Sequence, residues 1–153
     1  MSENVLEIKN LRVAFHLEEG KIHAVQGVSL AIPRGKIVAL VGESGSGKSV
    51  TGLSILRLIQ QPGEITGGEM LFRGQDGRSL DIARLREKDK ELYAIRGNRI
   101  SMIFQEPMTA LSPVHTIGNQ LCEVLRLHQK ISKRDARSKA MEMLGRVGFP
   151  APE

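Results

Sequence analysis

The chain has 153 residues, 41% hydrophobic and 25% charged, a balance expected of one globular domain rather than a disordered or fibrous chain. No apolar run is long enough to span a bilayer, and Met1-Ser2-Glu3-Asn4 lacks the basic and apolar regions of a secretory signal, so a cytoplasmic chain is expected. The net charge of +5 does not imply a nucleic-acid partner: basic residues are dispersed, aromatic platforms are few, and the densest run, residues 130–139, reads as a solvated helix face.

Residues 6–15 and 23–32 carry strand patterning on either side of Glu18-Glu19-Gly20, which predicts two antiparallel strands. Pro33-Arg34-Gly35 then turns the chain into Lys36-Ile37-Val38-Ala39-Leu40-Val41, a β-branched run of the kind buried on both faces of a parallel sheet. That run opens into Gly42-Glu43-Ser44-Gly45-Ser46-Gly47-Lys48-Ser49, which meets the pattern G-x-x-x-x-G-K-[ST] at every specified position. Residues 50–59 follow as an apolar helical stretch, so strand, glycine loop and helix stand in the order a phosphate-binding loop requires.

The residue types explain the chemistry. A polyphosphate is held by several backbone N–H groups turned inward, which requires a backbone unhindered by Cβ atoms, and Gly42, Gly45 and Gly47 supply it. The helix that starts near Gly47 adds unpaired N–H groups and the positive end of its dipole. Lys48 would reach the β- and γ-phosphates, and the Ser49 hydroxyl would ligate the bridging Mg²⁺. Small GTPases, kinases, RecA-like motors and transporter ATPases all carry such loops, so the loop alone leaves the class open.

Downstream, Gln61-Pro62-Gly63 interrupts regular structure, residues 68–73 are a strand candidate and Gln75-Asp76-Gly77 a turn. Residues 80–96 space charged and apolar side chains as a helix does, with Gly97 as its stop. Residues 100–104 form an apolar strand that delivers Gln105 directly before Glu106-Pro107, a costly place for a polar amide without a task. A helix is predicted over 117–128, with Leu121, Val124, Leu125 and His128 near one stripe. Ser132 and Asp135 form an S-x-x-D start for a second helix over 133–147, with Ala136, Ala140, Leu144 and Val147 on one face and Gly148 and Pro150 as its end. Cys122, the only cysteine, falls among helical apolar residues as a small buried hydrophobe.

Phe15 ends the first predicted strand upstream of the loop, and together with GESGSGKSVT and the segment 100–107 it resembles the nucleotide-binding subunits of ABC transporters. The resemblance is greatest to importers of di- and oligopeptides, nickel and glutathione. In that family an aromatic before the loop stacks on adenine, and a glutamine after the later strand touches Mg²⁺ and the attacking water and senses the membrane subunits; Phe15 and Gln105 match those positions. Phe15 also reads as a core aromatic of a half-buried strand, since base stacking asks only for an aromatic face. The resemblance therefore implies an ATP and Mg²⁺ site built from Phe15, Gly42, Glu43, Ser44, Gly45, Ser46, Gly47, Lys48, Ser49, Val50 and Gln105, with Ser49 and Gln105 on the metal.

The implied fold is an α/β P-loop NTPase of the ABC ATPase type, with an antiparallel β part over 1–35, a P-loop core over 36–105 and the start of a helical subdomain over 106–153. The implied partners are the membrane subunits of an ABC transporter and a second ATPase subunit, on the cytoplasmic face of the inner membrane and peripheral to it. The implied task is energising uptake of di- or oligopeptides or a related small solute. The family's LSGGQ-type signature, its apolar strand ending in Asp-Glu and its histidine switch have no match here; Asp76, Asp81, Asp89 and Asp135 all follow polar or mixed residues. The expectation is thus the N-terminal portion of one family domain, with an incomplete core sheet, binding ATP without turning it over alone. A nonproductive fragment and a P-loop kinase-like protein are the alternatives.

Overall fold

The computed structural model describes residues 3–75, 77–105 and 111–150. They divide into two compact units, Met1–Tyr93 and Ala94–Glu153.

The first unit is built on a hairpin. Strands β1 (Asn4–Leu17) and β2 (Gly20–Pro33) pair antiparallel from Asn4 opposite Pro33 to Leu17 opposite Gly20, so Glu18 and Glu19 alone make the connection. Strand β3 (Gly63–Arg73) lies along the other edge of β1 and β4 (Ser79–Asp81) along β3, giving the sheet order β2-β1-β3-β4. β1 is therefore central, and its Leu6, Ile8, Leu11, Val13 and Ala14 are all buried, together with Val25 of β2 and Met70 and Phe72 of β3. Fully burying each large aliphatic side chain contributes about 1.5–3 kcal/mol, so this cluster is the unit's main source of stability.

A strict two-residue alternation cannot bury both Ile8 and Leu11, which are three residues apart. The chain solves this with a bulge. Four residues of β1, Ile8 to Leu11, span three of β2, Leu30 to Val28. Asn10 takes φ +49, a left-handed conformation that Asn tolerates, and its N–H donates to the Ser29 hydroxyl at 2.8 Å. Gly68 of β3 faces the bulge at φ +96, where a Cβ would fall 2.6 Å from the Asn10 carbonyl oxygen.

Helix α1 (Lys48–Ile55) follows the glycine loop and is shorter than the predicted 50–59 stretch. Leu56 caps it, and Arg57 at φ +53 turns the chain away while its guanidinium donates to the Ala83 carbonyl at 3.2 Å. Inside the helix, the hydroxyls of buried Thr51 and Ser54 donate to the carbonyls of Gly47 and Val50, four residues back, which satisfies them without a distant partner.

Several expectations need correction. Residues 36–41 form no strand: among the described residues nothing pairs with them, and a ladder needs a neighbour to meet its N–H and C=O groups. Ile37 is 99% exposed and Val41 85%, the reverse of the burial their patterning predicts. Residues 80–96 are not one helix either. Leu80 and Asp81 lie in β4 opposite Phe72 and Leu71, and the Asp81 carboxylate accepts from the N–H groups of Met70 (3.0 Å) and Ala83 (3.1 Å), which stops the strand and starts a 3₁₀ turn, Ile82–Arg84. The short helix α2 (Lys90–Ile95) is all that remains of the predicted helix. β3 begins at Gly63, five residues before the predicted strand, because its first residues pair with Phe15 and Ala14 of β1. Gly77 N–H donates to the Gly74 carbonyl at 3.3 Å, while Asp76 of the predicted turn lies outside the described residues.

In the second unit, helices α3 (Ile117–Gln129) and α4 (Lys133–Arg146) pack together, and the small side chains of Ala136 and Ala140 are buried. Ser132 caps α4 as its sequence predicts: its hydroxyl accepts from the Asp135 N–H at 3.1 Å and donates to the Asp135 carboxylate at 2.7 Å. Val147 departs from the expected face, since it is the C-cap and 79% exposed. Cys122 is half-buried. Residues 101–104 form no strand; only an isolated bridge joins Arg96 to Ile100, and Ile103 is 96% exposed.

Candidate functional site

The glycine loop closes around a lysine. The Lys48 ammonium donates to the Gly42 carbonyl at 2.8 Å, to the Glu43 carbonyl and to the Ser46 hydroxyl at 3.2 Å, so each of its three protons has an acceptor within the loop. Ser46 N–H donates back to the Glu43 carbonyl at 3.3 Å. Gly45 and Gly47 adopt φ +80 and +88, which residues with a Cβ adopt only at a cost of about 1–2 kcal/mol.

Gly47 has a second constraint. A Cβ there would run into the Ala24 carbonyl oxygen and stand 3.4 Å from Val25 Cγ2, so the loop's end is pressed onto the backbone of β2. Gly47 is also the N-cap of α1, with no side-chain cap and no acidic residue in the first turn. The first N–H groups of the helix and its positive dipole end are thus left to an anion. Ser49 is exposed in that first turn, and Val50 behind it is half-buried. Glu43 and Ser44 are exposed, as is Gly42.

Phe15 sits on β1 opposite Ile22 of β2 and Gly63 of β3. Its ring lies over Gly63, where a Cβ would come 2.6 Å from Phe15 Cε1 and 2.6 Å from Ile59 Cγ2. Val25, whose Cγ2 would stand 3.4 Å from a Cβ at Gly47, pairs with Val13, and Phe15 follows two residues later on β1. The ring is half-buried, with its edge against Gly63.

Gln105 belongs to the second unit, at an exposed bend, and Glu106 and Pro107 lie outside the described residues. In the same unit Gln120 holds a knot that no sequence motif announces. Its side-chain amide accepts from Ser112 N–H at 2.9 Å and donates to the carbonyls of Ser112 (3.1 Å) and His115 (3.0 Å), fixing the loop before α3. Reasoning from sequence also missed Ala24, which acts through its carbonyl and carries no side-chain signal. Thr51 could have been found from its place one turn after Gly47.

A sequence model described as ABC transporter matches residues 25–151, most of the chain. The chain belongs to the ABC transporter family. It is 49% identical over 147 residues to a protein of Brucella melitensis named as a peptide import ATP-binding protein, covering 95% of this chain and 43% of that one. It is 45% identical over 150 residues to the glutathione import ATP-binding protein GsiA of Salmonella typhimurium, covering 97% of this chain and 24% of that one. The chain therefore spans less than half the length of these relatives. Among solved structures it resembles the ATP-binding cassette MJ0796 in a dimeric post-hydrolysis state bound to ADP and Pi, with TM-score 0.73 and 28% identity over 92% of this chain and 56% of that one. Its fold is accordingly part of an ABC ATPase, an antiparallel sheet with helices.

Proposed function

We propose that this chain supplies the nucleotide-binding side of an ABC importer ATPase, and that its P-loop holds Mg-ATP. The observation that carries this is the loop itself: Gly47 in a left-handed N-cap without a capping side chain, beside a lysine whose ammonium is held within the loop by Gly42, Glu43 and Ser46. Phosphate oxygens offer that ammonium charged acceptors, which bind it about twice as strongly as neutral carbonyls. The roles follow from position: backbone N–H groups of residues 42–50 cradle the phosphates, Lys48 neutralises them, and Phe15 offers a face to the base.

The exposed Ser49 hydroxyl, one residue after Lys48 in the first turn of α1, suits a hard cation that takes oxygen ligands. Mg²⁺ bound there would neutralise charge on the β- and γ-phosphates. Import of peptides or of a related small solute is the task favoured by the names of the relatives, with membrane subunits and a second ATPase subunit as partners. No helix among the described residues is long and apolar enough to cross a membrane. Titrating Mg-ATP into the chain tests the proposal: saturable heat at one site per chain supports it, and absence of binding refutes it.

A further inference from the structure

The end of β1 that carries Phe15 lies beyond irregularities in both of its ladders. Register against β3 shifts between Lys9 and Arg12 and again between Arg12 and Val13, and register against β2 shifts between Val13 and Ala14. Val13, Ala14 and Phe15 are the last residues of β1 to pair with β3, opposite Ile65, Glu64 and Gly63. Register matters most at the final pair. Gly63 lacks the Cβ that would collide with Phe15 Cε1, so the ring fits only over that residue, and a one-residue slip would also send it to the other face of the sheet.

Two bonds pin this end, and all the residues involved belong to the first unit. His16 N–H donates to the Pro62 carbonyl at 3.1 Å, one step past Phe15 and Gly63, and Pro62 has no N–H to return. The second bond joins side chains: His16 Nε2 lies 2.7 Å from Glu64 Oε1. A carboxylate only accepts, so the imidazole presents Nε2–H to it. Alternation along β1 puts His16 on the face opposite Phe15, the face of Ala14, whose partner is Glu64. The bond therefore runs diagonally behind the ring, from the residue after Phe15 to the residue after Gly63.

We infer that His16 and Glu64 are positioning residues for nucleotide binding: their bond holds Phe15 in register over Gly63 and so sets where the ring meets the base. This rests on the reading of Phe15 as the platform for the base. His16 and Glu64 act through Phe15 and leave the phosphate loop alone.

Calorimetry of the 153-residue chain with two ligands, Mg-ATP and magnesium tripolyphosphate, which has the phosphates without the base, tests the inference. His16→Ala and Glu64→Ala are each expected to weaken Mg-ATP binding roughly 2- to 5-fold, the range for an exposed pair, and to leave tripolyphosphate binding at the parent's affinity. His16→Gln, whose amide still donates, is expected to bind Mg-ATP like the parent. In a Phe15→Ala background neither alanine change is expected to weaken Mg-ATP further, because the ring through which they act is gone. Parental ATP affinity in both alanine variants overturns the inference. So do equal losses for the two ligands, as a general loss of structure would give, or losses that persist without the Phe15 ring. Each of those outcomes leaves the ATP proposal standing, whereas a parent chain that does not bind Mg-ATP overturns both.

Discussion

Gly47 and Ala24 meet backbone to backbone: the last glycine of the loop lies so close to the Ala24 carbonyl oxygen that a Cβ cannot fit between them. The contact anchors the start of α1 to β2, and with it the Lys48 side chain that reaches back across the loop. Gly47→Ala is therefore expected to combine a strained positive φ with a backbone clash, costing about 1–3 kcal/mol and weakening nucleotide binding together with stability. Thermal denaturation and calorimetry on the same sample check it; a variant with unchanged melting and unchanged affinity removes the contact from any role.

Phe15→Ala is expected to weaken Mg-ATP binding by about 1–3 kcal/mol, the range for a lost base-stacking platform. Phe15→Tyr keeps the aromatic face and is expected to bind like the parent. If the Ala variant loses stability but binds ATP undiminished, Phe15 serves only as packing for Gly63 and Ile59.

Hydrolysis by the 153-residue chain alone is expected to be negligible. Phosphoryl transfer to water needs a group that orients the nucleophile as well as charge around the phosphates, and none of Asp76, Asp81, Asp89 and Asp135 follows a run of four apolar residues. Sustained phosphate release that Lys48→Ala abolishes would reveal a catalytic group among the residues present.

The exposed run at 36–41 sets a limit on stability. Several aliphatic side chains there, each worth about 1.5–3 kcal/mol when buried, together rival the 5–15 kcal/mol by which a domain is held. A monomeric sample of the chain is expected to unfold below about 45 °C, under the range of ordinary domains. Cooperative melting of the monomer above that temperature contradicts the expectation.

The sequence was legible where a signal is local. The β1–β2 hairpin follows from strand patterning about Glu18-Glu19-Gly20, the start of α4 from Ser132 and Asp135, and the turn that leads from the loop into α1 from its glycines and Lys48. What depends on neighbours was not. Residues 36–41 have the composition of a strand, yet composition cannot supply the adjacent strand that would meet their backbone groups. Residues 80–96 have helical spacing, but pairing with β3 and the Asp81 carboxylate outweigh it. The Asn10 bulge and the Ala24 contact arise from backbone geometry between strands, which no side-chain pattern records.

Calorimetric titration of Mg-ATP into the chain and into Lys48→Ala is the most direct test of the nucleotide site. Charge-assisted hydrogen bonds are worth about 1.5–3 kcal/mol, so the variant is expected to bind roughly 10- to 150-fold more weakly. Equal affinity in the two proteins would mean that the loop closed around Lys48 is not where the nucleotide binds.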